Sequence, residues 1–227
     1  MFSFSSKSKN TRAIPLLTLR DVIIFPNQVK PLIIGRPQSV AALLKADSQD
    51  KTIALVMQKD GQLSKPQKTD LFAVGTLAKV LQTLRLPDNK YRVLIRGEKR
   101  IAIKDVVEDE LFWRADIEEI EVPEEDEHQL HLLLQVVQEQ FSKYAELDNS
   151  IPDEMIDSIK SIYDADKLTD SLAPHLCSKP SDLQDLLETS SPMKRLQRIA
   201  EVLQERAEVL EVDKRIQDRV KEQMERN

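Results

Sequence analysis

The apolar positions of this chain change period near residue 122. From Ala13 to Val122 they alternate, or run in short β-branched blocks between turn signals; from Pro123 onward they recur every three or four residues. This predicts an α+β chain of two subdomains, an all-β half followed by an α-helical half, rather than one mixed layer. Residues 1–12, rich in Ser and Lys, read as a short disordered tail.

In the first half the pattern predicts strands over residues 14–19, 29–34, 52–58, 72–86, 91–104 and 111–122, with a short helix opened by Pro37. The block from Thr52 to Gln58 is apolar enough to be covered on both faces. Pro87, Asp88, Asn89 and Lys90 read as a type I hairpin turn. Trp113, Ala115 and Ile117 occupy odd positions whereas Ile120 and Val122 are even, which predicts a β-bulge near Glu118 and Glu119. Six strands and one helix bury their edges best as a small closed or half-closed barrel, with Trp113 in its core.

The second half predicts a helix from Pro123 to about Leu147, with Leu130, Leu133, Leu134, Val137, Phe141 and Tyr144 on its apolar face. A second starts at Pro152, and a third near Asp166, ended or kinked by Pro174. Ser181 to Gln184 read as the capping box of a fourth. The last stretch, 191–227, is a single long helix with Ser191 as N-cap and Pro192 at its first position, facing a bundle through Met193, Leu196, Ala200, Leu203, Ala207 and Leu210. Beyond Leu210 only the narrow stripe Val212, Ile216, Val220 and Met224 remains in a charged sequence, and such a segment needs a partner helix. Ile216, Val220 and Met224 are therefore candidate self-association residues. With no C-cap before Asn227, the expectation is an N-terminal piece of a larger protein cut inside a connecting helix, organised as 13–122, 123–190 and 191–227.

A net charge of −6 and a pI near 5.3 argue against nucleic-acid binding as the main role. One cysteine excludes an internal disulfide and fits a reducing, cytoplasmic compartment. No stretch approaches the ~20 apolar residues of a membrane span. Four glycines supply no phosphate-binding loop and no Walker A pattern. His128 and His131 lack a third ligand at metal-site spacing, and His175 and Cys177, two apart on a helix, point in different directions. The sequence thus assigns no catalytic residue, metal or cofactor to this chain. The acidic run over 118–127 reads as a solvated hinge and helix start.

The string IPLLTLRDVIIFPNQVKPLIIGRPQSVAAL resembles the opening of the Lon family of ATP-dependent serine proteases (endopeptidase La). DLFAVGTLAKVLQTLRLPDNKYRVLIRGEKRIAI is similar to that family's central hairpin, and VDKRIQDRVKEQMERN to the start of its linker helix. The resemblance implies a PUA-like β barrel followed by a helical bundle and a long linker helix. It also implies the N-terminal domain of a homo-hexameric AAA+ machine that recognises unfolded, damaged or degron-bearing proteins in protein quality control. The ATPase module, with its ATP and Mg, and a Ser-Lys peptidase module would follow Asn227. The chain departs from the family at Pro37-Gln38, where a charged pair is frequent, and at Arg96, where an acidic residue is frequent.

Recognition of unfolded chains requires accessible apolar surface. The candidates are Val22, Ile23, Ile24, Phe25 and Pro26, with Leu32 and Arg36; the other reading of the same residues is that they close the barrel end. Two further function classes stay open, a free-standing substrate-binding adaptor and a PUA-like nucleic-acid module.

Overall fold

The computed structural model describes residues 12–148 and 150–225, so the expected tail lies, up to residue 11, outside the described residues. Among the described residues are the strands β1 (Arg12–Leu19), β2 (Val29–Ile34), β3 (Thr52–Met57), β4 (Val74–Arg85), β5 (Tyr91–Glu108) and β6 (Trp113–Glu119). The helices are α1 (Pro37–Asp47), α2 (Glu127–Leu147), α3 (Asp153–Lys160), α4 (Ala165–Leu176), α5 (Pro180–Glu188) and α6 (Pro192–Glu225). The chain divides into two compact units, one ending at Ile120 and the other beginning at Glu121.

The first unit is a mixed sheet in the order β2-β5-β4-β3-β1-β6, and β6 pairs back onto β5. Among the described strands only β1 and β3 run parallel. The 18-residue β5 carries the sheet. One side of it bonds β4, while the other bonds β2 through Tyr91 to Arg96 and β6 through Ile101 to Glu108. All six residues of β3 are buried. Its alternate side chains divide between two cores, Ile53 and Leu55 packing with Leu17, Ile24, Val93 and Ile95, and Ala54 and Val56 with Leu16, Ile101 and Trp113. Burial on both faces is what its unbroken apolar run requires.

The turn after β4 differs from the expected type I. Asp88 and Asn89 both have positive φ, 61° and 55°, which is the mirror-image type I′ turn. Asp and Asn tolerate that region, and the mirror-image turn matches the right-handed twist of the two strands it joins. The bulge expected near Glu118 is absent too. β6 stops at Glu119, Val122 is exposed, and the register slip falls on β5 between Ile103 and Asp105. The change of parity marks the end of a strand.

The second unit is helical. Its core joins Leu134, Val137 and Phe141 of α2, Leu168 and Leu172 of α4, Leu186 and Leu187 of α5, and Leu196, Ile199 and Leu203 of α6. α2 opens at Glu127 and not at Pro123, because the Asp126 carboxylate accepts the Gln129 N–H at 3.0 Å and caps it there. Glu125 serves a different helix end, accepting the Met193 N–H at 2.9 Å and the Ser191 hydroxyl at the start of α6. Ser191 in turn accepts from Lys194 N–H at 3.1 Å, the expected N-cap bond. The expected capping box is replaced: Pro180 takes the first position of α5, Lys179 is its N-cap, and Ser181 lies inside the helix. Pro174 falls in the last turn of α4, which continues to Leu176.

Trp113 is 8% exposed and packs with Ile14, Leu71 and Val106. Its replacement by Ala is expected to cost about 3–5 kcal/mol. An unchanged urea midpoint would contradict that placement.

Candidate functional site

The apolar loop after β1 belongs to the core. Ile23, Ile24 and Phe25 are 5%, 1% and 1% exposed, and Pro26 is buried. Its backbone is tied on both sides: Thr76 Oγ1 donates to the Ile24 carbonyl at 2.7 Å, and Asn27 N–H donates to the Gly97 carbonyl at 2.9 Å. Asn27 makes the turn at φ 63°. Position 97 must be glycine, because a Cβ there would stand 2.1 Å from the Phe25 carbonyl oxygen. These ties fold the four side chains inward, so Ile23, Ile24, Phe25 and Pro26 close the end of the sheet and offer no surface for capture.

Val22, Leu32 and Arg36 are placed differently. All three are half-buried and line one cleft of about 530 Å³, within the usual range of roughly 300–1,000 Å³ for ligand clefts. One wall comes from Leu17, Thr18 and Leu19 of β1 and the residues after them; the other from Leu32, Ile33 and Ile34 of β2 with Gly35 and Arg36. The cleft exists because β6 pairs with β1 only up to Leu16. Beyond that point the outer side of β1 has no neighbouring strand among the described residues.

Arg36, the N-cap of α1, closes part of the gap. Its guanidinium donates to the Thr18 carbonyl, to Thr18 Oγ1 at 2.9 Å and to Gln58 Oε1 at 2.6 Å. Gln58 is 1% exposed and spends its amide N–H groups on the carbonyls of Asp60 and Leu63. All of these acceptors are neutral. Burial, and Arg20 nearby, hold the Arg36 pKa below the usual arginine range.

The cleft rim is cationic, with Arg20, Arg36 and Lys90 against the single carboxylate of Asp21. That carboxylate lies on the turn after β3, since a Cβ at position 61 would be 2.4 Å from it. The Lys90 stem packs on Gly35 and holds its ammonium at the rim. Sequence reasoning missed Thr18, Ile33 and Lys90. Nothing in the linear pattern brings the hairpin residue Lys90 beside Gly35, although the alternating exposure of β2 marks Ile33 as an outward residue.

The other candidates are not among the residues that line the cleft. His128 and His131 are exposed on α2, and among the described residues no three His, Cys, Asp or Glu form a metal-holding group. His175 is exposed while Cys177 is buried, so the two are not presented together. Burial pushes the Cys177 thiol pKa up, which keeps it protonated. In the acidic run, Glu118 and Glu119 pair with Lys104 and Lys99, each at 2.7 Å. Ile216, Val220 and Met224 are 55%, 46% and 76% exposed on α6, as is Val212 at 51%.

Arg36→Met removes three hydrogen bonds and strands the buried Gln58 and Thr18 acceptors, an expected loss of about 1–3 kcal/mol. Arg36→Lys is expected to recover only part of it, because an ammonium cannot present the planar fork that reaches both Thr18 and Gln58. Urea midpoints of the three proteins test this; equal midpoints would refute it.

Comparison with known proteins gives these features a family. The model for the ATP-dependent protease La (LON) substrate-binding domain matches residues 13–205. The chain is 38% identical to the Lon protease of Haemophilus influenzae over 221 residues, covering 97% of this chain and 28% of that protein. It is 39% identical to the Lon protease of Escherichia coli K12 over 214 residues, covering 94% and 27% respectively. The chain thus spans little more than a quarter of these curated relatives. In fold it is similar to the N-terminal domain of the Mycobacterium avium complex Lon protease, with a TM-score of 0.71 at 20% identity over 85% of this chain and 98% of that one. The chain belongs to the Lon substrate-binding domain family.

Proposed function

We propose that this chain is the non-catalytic recognition domain of an ATP-dependent Lon protease, binding unfolded, damaged or degron-bearing proteins for degradation by modules outside it. The observation that carries this reading is the match of the substrate-binding family model over residues 13–205. The cleft between β1 and β2 supplies a place for recognition, with apolar walls at Val22 and Leu32 and a cationic rim. Apolar walls suit the side chains that folded competitors keep buried. A pairing order that returns on itself supports reading the first unit as a small PUA-like barrel, and the packing of α2 and α4 against α6 supports reading the second as a bundle ending in a linker helix. ATP and Mg belong, in this proposal, to the ATPase module, and the setting is the cytoplasm.

The outer half of α6 supports a second component, assembly. Val212, Ile216, Val220 and Met224 form an exposed stripe spaced by four. A stripe that narrow stabilises a helix only by pairing with another. Pairing between subunits of a hexamer would hold recognition domains at its entrance.

Fluorescence anisotropy of this chain with a chemically unfolded protein and with its folded form tests the first component. Preferential binding of the unfolded form is expected, and no binding to either would remove the recognition role. For the second component, Val220→Glu is expected to weaken self-association in crosslinking while the melting temperature stays within about 1–2 °C, since a surface change costs at most about 0.5 kcal/mol. Unchanged crosslinking would count against pairing through this stripe.

A further inference from the structure

We propose that an extended segment of an unfolded protein binds by adding a strand to the open edge of β2, beside the cleft. The proposal deepens the substrate-binding reading and rests on it.

Among the described residues β2 pairs with β5 alone, which leaves one of its edges open. Which residues face that edge follows from the register. Gly97 N–H donates to the Gln28 carbonyl at 2.9 Å, one step before the pair Val29 and Arg96. In an antiparallel ladder bonded and non-bonded pairs alternate, so Gln28, Lys30, Leu32 and Ile34 turn their backbone groups to β5, and Val29, Pro31 and Ile33 turn theirs outward. Pro31, which has no N–H, sits in the outward set, where β5 loses nothing. The edge therefore presents the N–H of Val29 and Ile33 and the carbonyls of Val29, Pro31 and Ile33. Among the described residues no backbone hydrogen bond reaches these outward groups.

The facing wall offers less. On β1 the outward carbonyl in this stretch is that of Thr18, and the Arg36 guanidinium already occupies it. An incoming strand is thus directed to β2, in the gap left where β6 leaves β1 at Leu16. Its side chains would alternate between solvent, beside Val29 and Ile33 (49% and 66% exposed), and the apolar cleft at Leu32 and Val22.

Charge selects the occupant. Lys30 and Arg92 flank the edge, and Arg20, Arg36 and Lys90 rim the cleft. A second copy pairing edge to edge would set these cations against their own counterparts, and Pro31 would meet the same blunted centre. An apolar segment with acidic rather than basic neighbours meets neither obstacle. Main-chain bonding reads no side chain, which suits recognition of many unfolded sequences, and folded proteins have already paired their own strands.

The test uses the whole 227-residue chain and a fluorescein-labelled, reduced and carboxymethylated protein as the unfolded probe. Ile33→Pro deletes one outward N–H at a parity where Pro31 already fits, and is expected to weaken binding about tenfold with unchanged circular dichroism. Ile33→Thr keeps the N–H and should bind within about threefold of the parent, while Pro31→Val, which adds an N–H, should bind more tightly. In the parent chain the amide protons of Val29 and Ile33 should exchange more slowly once the probe is added, a readout that decides the matter even if Ile33→Pro fails to fold. If the parent does not bind the probe, the substrate-binding reading falls and this proposal with it. If the parent binds while those amides exchange as before, strand addition alone is overturned. Protection of the same amides without probe, rising with protein concentration, would place a second copy on the edge and likewise overturn it.

Discussion

β6 leaves β1 at Leu16, and from there to Leu19 the outer side of β1 bonds no strand among the described residues, so the Thr18 carbonyl depends on the guanidinium of Arg36. A buried backbone carbonyl without a partner is costly, and this one is met by a side chain because no backbone is within reach. Much of the first unit's end follows from that substitution. Arg36 is at once the N-cap of α1 and the bridge to β1 and to Gln58 after β3, so three elements converge on one planar group. A strand in its place would have filled the gap. A side chain bridges it while leaving about 530 Å³ open beside it. The cleft is the consequence of the pairing of β6 with β1 ending at Leu16.

The helical unit solves a comparable problem with charge. Arg195 is 1% exposed and forms an ion pair with Asp166 while donating to the Thr189 carbonyl at 3.1 Å. A buried arginine is tolerated only when charge and hydrogen bonds are both supplied, and here α4 and the end of α5 supply them to α6. Glu125 does the same at the start of α6, turning residues ahead of α2 into a cap for a helix 66 positions later. The first half of α6 is therefore fixed by apolar packing, a buried ion pair and a cap. The half beyond Leu210 has none of these among the described residues.

Much of this was legible in the residues. The boundaries of β2, the two-faced burial of β3 and the start of α6 at Pro192 follow from patterns that are local and strong. Turn handedness was not legible from Pro87 to Lys90, because the twist of the paired strands decides between a turn and its mirror image. Asp126 outcompeted Pro123 as a helix start for a similar reason: Glu125 is drawn to a distant helix end. Of the seven candidate residues, Val22, Leu32 and Arg36 line the cleft, whereas Ile23 to Pro26 follow the other reading of the sequence and close the core. Apolar composition does not distinguish a loop that closes a core from one offered to a ligand. The difference lies in two hydrogen bonds, from Thr76 and to Gly97, made by residues about 50 to 70 positions away.

The burial of that loop changes what kind of recognition the domain can perform. Had Ile23 to Pro26 been exposed, binding would rest on a mobile apolar surface adapting to each partner. With them buried, the cleft walls are held by core packing, by the Arg36 bridge and by the β2–β5 ladder, and the polar groups left open on β2 are backbone. Under the proposed strand addition, a rigid backbone edge would lose little conformational entropy on binding and would impose one requirement, that the ligand be extended. Nearby cations would add a second, a preference against basic segments. Selection by backbone availability and charge, with apolar walls accepting many side chains, is a physical basis on which one small domain would separate unfolded chains from folded ones.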